Sequence, residues 1–140
     1  MNAGFFLFGR NAIQHAADVG VATFAAEGNA SGGDAVAFSR MDAAGLSTTP
    51  FITVTEVDLY KEVAASDGTL SDDTSCGGAC ENIYDKYGTA SQTKWVETTR
   101  NAGVSPDYAK LVIKYTYRTF AANATFSLTT NNTFRLEPQG

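Results

Sequence analysis

The sequence predicts a single α+β domain, in which an N-terminal helix and a short second helix pack on an antiparallel sheet of three to four strands. Three observations predict it. Helically spaced apolar residues and a dense set of alanines occupy the first part of the chain. Two runs rich in β-branched and aromatic residues, 51–60 and 109–118, come later. Helices followed by strands, rather than alternating with them, point to α+β with an antiparallel sheet. A chain of 140 residues is long enough for one core and short for two, so residues 1–140 are read as one domain.

The first helix is predicted over 4–26. Phe6, Ile13, Ala17, Val21 and Phe24 recur at helical spacing and give it one apolar face. Ala12, Ala16, Ala17 and Gly20 are small enough to let another helix or a sheet approach closely, and they are the candidate helix-packing residues. Gly28, after Glu27, supplies the stop. Asp34 is read as the cap of a second helix that runs to about Ala44 and ends at Gly45. Thr48-Thr49-Pro50 makes a turn, and Phe51 to Tyr60 is the first strand. From Lys61 to Arg100 the pattern fades into Gly, Ser, Asp and Thr, with islands at Ile83-Tyr84 and Trp95-Val96. This stretch reads as a long ordered loop between the first and second strands. Leu111 to Tyr117 is a strong strand, and Thr125 to Leu136 alternates in part, as one further strand or a broken pair.

Composition narrows the function. Hydrophobic residues make up 44% of the chain, a globular value. Ten basic residues stand against fifteen acidic ones, for a net charge of -5, and the basic ones are scattered. Phosphate backbones and anionic lipid surfaces need clustered positive charge, so neither nucleic acid nor a charged membrane surface is an expected partner. A bilayer-spanning helix needs about 20 apolar residues. The best run here is Phe5 to Phe8, closed by Gly9-Arg10. The abrupt opening on phenylalanines suggests a chain cut from something longer, with Met1 an added residue. No signal-peptide pattern opens the chain.

Candidate chemistry is sparse. Cys76 and Cys80 flank Gly77-Gly78-Ala79. A disulfide needs Cα atoms within about 7 Å, which a turn at the two glycines allows, and it would place the chain outside the cytosol. The other reading is two free thiols. His15, the single histidine, and two cysteines do not make a four-ligand zinc site, so neither a metal nor a cofactor is expected. His15 with Asp18 three residues on is more naturally a structural pair than an acid–base site. Asp67, Asp72 and Asp73 are weak calcium candidates. Gly68 directly after Asp67 breaks the calcium-loop spacing, and a solvated acidic loop is the alternative. Trp95, Tyr84, Tyr87 and Tyr108 could form a sugar platform or pin a loop to the core. Gly77-Gly78 lacks the lysine and context of a phosphate loop, and the sequons at Asn29, Asn123 and Asn131 are assigned no role. The chain is expected not to be an enzyme.

Several segments together resemble a family. Gly9-Arg10 with the alanine-rich segment through Gly20, Ala43-Ala44-Gly45-Leu46-Ser47 before the first strand, and Val57-Asp58-Leu59-Tyr60-Lys61 are similar to stretches of TadE-like proteins. So are the two cysteines, Tyr84, Trp95, Arg100, Pro106-Asp107-Tyr108, the Tyr115/Tyr117 strand and the ending Phe134-Arg135-Leu136-Glu137-Pro138. No single motif is specific; their order and spacing carry the resemblance, and it covers nearly the whole chain. TadE/TadG-like pseudopilins belong to the Tad (Flp) type IV pilus assembly machinery. The resemblance implies an extracytoplasmic domain anchored in the cell membrane by an N-terminal helix, partnered by other pilins, pseudopilins and pilus-assembly proteins, with no catalytic residue. It also implies that residues 1–9 are the remnant of the membrane helix, or added residues, with the apolar stretch encoded upstream, and that the domain alone is monomeric or weakly associated. The competing expectation is an adhesin-like module that recognises a sugar or a surface through loop 61–108.

Overall fold

The sheet is organised around one long strand whose apolar phase changes halfway. In the computed structural model the described residues are 2–28, 30–48, 52–100, 107–118 and 125–136, without the side chains of 2–10, 118 and 125–132. The expected turn at Thr49-Pro50, the sequons at Asn29 and Asn123, and Pro106, Glu137 and Pro138 of the family resemblance lie outside them. Two helices come first, α1 (Asn2–Glu27) and α2 (Gly33–Ala43). The strands are β1 (Ile52–Ala64), β2 (Leu70–Asp72), β3 (Glu81–Tyr84), β4 (Ala90–Thr93), β5 (Tyr108–Arg118) and β6 (Thr125–Arg135). A 3₁₀ turn spans Glu97–Thr99.

The chain is α+β with an antiparallel sheet, and among the described residues the sheet has six strands rather than three to four. The order is β4-β3-β1-β5-β6, with β2 pairing the far end of β1. The extra strands come from the stretch read as a loop. β3 reads Glu-Asn-Ile-Tyr and turns Asn82 and Tyr84 inward, leaving Ile83 on the other face. Its inner face is polar, so alternation of apolar residues could not reveal it.

In β1 the inward residues are Ile52 and Val54, then Val57 and Leu59. The parity shift requires an extra residue, and the register with β5 slips between Val54 and Glu56. Without that bulge Val57 and Leu59 would face away from the core. Opposite them β5 presents Leu111, Ile113, Tyr115 and Tyr117, all buried. β6 follows β5 in unbroken register from Arg118↔Thr125 to Tyr108↔Arg135, as one strand.

One face of the sheet carries the helices. From α1, Ile13, Ala16, Ala17 and Phe24 are buried. Phe24 meets Phe38 of α2 edge-on at 6.0 Å and Phe134 of β6 at 6.3 Å. Large side chains such as these stabilise the fold by about 1.5–3 kcal/mol each on burial. Gly20 is pressed against Met41: a Cβ there would lie 2.4 Å from the Met41 sulfur. Gly28 and Gly45 take positive φ at the ends of α1 and α2, as expected of stops. Asp34 is not the cap of α2. Gly32 holds that position without a side-chain cap bond, and Asp34 sits in the first turn with its carboxylate buried. Among the described residues no helix is long and apolar enough to cross a membrane.

Candidate functional site

Asp34 begins a chain of buried polar contacts that joins three separate parts of the sequence. Arg100 is 1% exposed and grips both Asp34 oxygens, Nη1 to Oδ1 at 2.5 Å and Nη2 to Oδ2 at 2.8 Å. The Tyr84 hydroxyl donates to Asp34 Oδ2 at 2.5 Å. Asn82 Nδ2 donates to the Tyr84 hydroxyl (3.1 Å) and to the Trp95 carbonyl (2.7 Å), while the Trp95 amide donates to Asn82 Oδ1 (2.8 Å). The guanidinium also lies 4.8 Å from the centre of the Trp95 ring. Thus α2, β3 and the segment 95–100 are tied to one carboxylate.

The electrostatics are those of a closed ion pair. Burial pushes the Tyr84 hydroxyl well above its ordinary range, and the Asp34 charge adds to this, so Tyr84 stays a donor. Burial works against the Arg100 charge, but the hydrogen bonds and charge of Asp34, aided by Tyr84 and Glu97, outweigh it and raise the Arg100 pKa. Gly88 closes the same region. It turns with φ +90, and a Cβ there would come within 2.8 Å of the Phe38 ring, which itself packs 4.8 Å from Tyr84. A pocket of about 330 Å³ opens beside this network, with Ser31, Asp34, Thr93, Trp95, Glu97 and Thr98 among its walls.

The sheet face away from the helices carries a second set of charges. Lys114 bridges Glu56 (2.8 Å) and Asp58 (3.1 Å), and Lys110 pairs with Asp72 (3.0 Å) beside Glu62. Burial, reinforced by Glu56, pushes Asp58 up to about 6. Burial, reinforced by Asp72, pushes Glu62 up to about 7. Their partners Glu56 and Asp72 are lowered, the first mainly by its bond to Lys114 and the second mainly by Glu62. Divergent carboxyl pairs of this kind are candidates for acid–base chemistry, but these lie along a sheet face and none of them lines the pocket described above.

The residues singled out by sequence go to different places. Ala16, Ala17 and Gly20 are buried and Ala12 is half-buried, with α1 seated on α2, β5 and β6. His15 is exposed, and Asp18 accepts from Gln14 (3.0 Å). The three acidic-loop residues diverge: Asp67 accepts from the Thr69 amide, Asp72 pairs with Lys110, and Asp73 pairs with Lys61 at 3.3 Å. Among the described residues no cluster of three or more His, Cys, Asp or Glu is placed to hold a metal. Trp95 and Tyr84 are buried, Tyr87 is exposed, and Tyr108 sits at the far end of β5, so the four aromatics form no common platform. The Asp34–Arg100 pair escaped sequence reading because 66 residues separate the partners. Nothing local to Arg100, which follows Lys94 and Glu97 in a mixed stretch, points to Asp34.

Cys76 and Cys80 lie at disulfide distance, with sulfurs 2.00 Å and Cα atoms 5.1 Å apart. The bridge closes the entry to β3, where the Cys80 amide donates to Asp73 and its carbonyl accepts from Lys61. Cross-linking so short a loop restricts the unfolded chain by about 2 kcal/mol. Urea unfolding with and without dithiothreitol is expected to differ by that amount. Thiol labelling of unreduced, unfolded protein is expected to find no free cysteine, and two labelled thiols in material made under oxidising conditions would contradict the bridge.

Compared with known proteins, the chain matches no family model, no curated protein and no solved structure.

Proposed function

We propose that this chain is a pilin-like assembly subunit of the TadE type, acting outside the cytoplasm through helix packing and protein–protein contacts, with no chemistry of its own. The observation that carries this reading is α1. It has 26 residues, about 39 Å at 1.5 Å per residue, and its small-residue face seats on α2 and on the two C-terminal strands. A sheet that holds a long N-terminal helix on one face can present that helix for bundling with equivalent helices. In this proposal the helix continues into an apolar membrane anchor in the parent protein, and the partners are other pilins, pseudopilins and pilus-assembly proteins. The cysteine pair at disulfide distance agrees with an oxidising compartment.

Deletion of the gene in its source organism tests this. The expected result is loss of Tad-type pili, restored by the wild-type gene, together with cross-links from α1 of the complementing protein to pilin subunits. Normal numbers of pili in the deletion strain would overturn the proposal.

A further inference from the structure

We infer that the pocket beside Trp95 binds a single ring of a neutral, hydroxyl-rich ligand, the chemistry of a sugar residue. This goes beyond the assembly role and does not depend on it. At about 330 Å³ the pocket sits at the small end of ligand sites, which run from about 300 to 1,000 Å³, so it suits one ring and not a chain.

The polar wall decides the class of ligand. Ser31, Thr93 and Thr98 line the pocket as exposed hydroxyls, and no hydrogen bond joins them to the described residues. Each can both donate and accept. Two buried atoms of the lining residues have no hydrogen-bond partner: the donor Trp95 Nε1 and the acceptor Glu97 Oε2. Buried groups left in this way are costly, and native proteins keep few of them. A ligand that answers both must donate and accept. An ammonium serves only Glu97. An anion serves only the Trp95 donor and is repelled by Glu97. Hydroxyl groups serve both.

The apolar rim agrees. Four large apolar side chains are exposed among the described residues: Val36, Val63, Tyr87 and Val96. Of these, Val96 lines the pocket. A sugar ring offers an apolar face as well as hydroxyls. The two unpaired atoms are closed off from solvent, so ligand hydroxyls reach them only through a small opening of the Glu97–Thr99 turn. That turn is held by two backbone bonds, Thr99 to Val96 (3.0 Å) and Arg100 to Glu97 (3.1 Å). Such an opening alters the surroundings of Trp95, the only tryptophan in the chain.

The test titrates the purified chain with glucose, galactose, mannose and N-acetylglucosamine, and reads tryptophan fluorescence and melting temperature. At least one sugar is expected to give a saturable fluorescence change in the millimolar range and a higher melting temperature, as mass action requires of a native-state ligand. Thr93→Val and Glu97→Gln, at the pocket wall, are each expected to weaken binding by about tenfold. Ala35→Trp fills the pocket and is expected to abolish it. Should that variant fail to fold, the two milder ones carry the test. The inference is overturned if none of the four sugars moves either readout, if N-acetyl-lysine or phosphate binds in their place, or if sugar binding is unchanged in Thr93→Val and Glu97→Gln.

Discussion

Arg100→Met lowers the unfolding free energy by about 3–5 kcal/mol, the largest single effect expected anywhere in the chain outside the apolar core. The substitution keeps side-chain volume and removes the only cation paired with Asp34 among the described residues. The Asp34 carboxylate, 6% exposed, would then keep one hydrogen bond from Tyr84 and no countercharge. Both Arg100 bonds to Asp34 would be lost, as would the bond to the Trp95 carbonyl at 3.3 Å and the stack on the Trp95 ring. In melting temperature this amounts to a fall on the order of 10–20 °C for a chain of this size. Arg100→Lys retains charge but not the two-pronged grip, so it falls between wild type and methionine. Pairing Arg100→Met with Asp34→Leu removes both charges together, and the double variant is expected to lose less than the sum of the singles. Urea unfolding of the wild type, the three single variants and the double variant measures this. A loss below about 1 kcal/mol in Arg100→Met would mean that the pair contributes nothing beyond packing.

The second large effect is that stability falls as pH rises from about 5 to about 8. Asp58 titrates near 6 in the folded chain, against an ordinary 3.8, and Glu62 near 7, against 4.5. The folded state therefore holds these two protons more tightly than the unfolded state does. Their stabilising contribution is complete below the unfolded values and is lost as pH rises through 6 and then 7. Glu56 and Asp72 carry the opposite sign, because their lowered values add stability that disappears only as pH falls into the acid range. Tyr60, Glu81, Lys110 and Lys114 share this face and set the local field. At 1.36 kcal/mol per unit, discounted for the solvent around the two half-buried lysines, the fall is on the order of 2–4 kcal/mol. Asp58→Asn with Glu62→Gln is expected to flatten it. Urea midpoints at pH 5 and 8 decide the matter, and a wild-type midpoint equal or higher at pH 8 would refute it.

Much of the scaffold was legible from local pattern. The helical spacing from Ile13 to Phe24 marked the buried face of α1, and Gly28 and Gly45 marked where the helices stop. The two long β-branched runs became β1 and β5, which pair from Ile52↔Tyr117 to Glu62↔Tyr108. The short strands β3 and β4 were not legible. Asn82 and Tyr84 face inward only because Trp95, Asp34 and Arg100 supply their partners, and no window around residue 82 contains those partners. The phase change in β1 is visible as Ile52, Val54, Val57 and Leu59, yet only pairing with β5 turns it into a bulge.

By itself the sequence determined the elements whose signals are local: two helices, their stops, the long strands, and a cysteine pair near enough in sequence to close through two glycines. Such features depend on residues within a turn or two of one another, and periodicity or capping expresses them directly. Only the tertiary structure decided that the α+β sheet has six strands rather than three to four. It also decided that Asp34 serves a buried arginine rather than a helix cap, and that a small polar pocket lies beside Trp95. These rest on contacts between residues far apart in the chain, 66 positions in the case of Asp34 and Arg100. A charge is tolerated in the interior only where its partner arrives, and that meeting exists nowhere but in the folded chain.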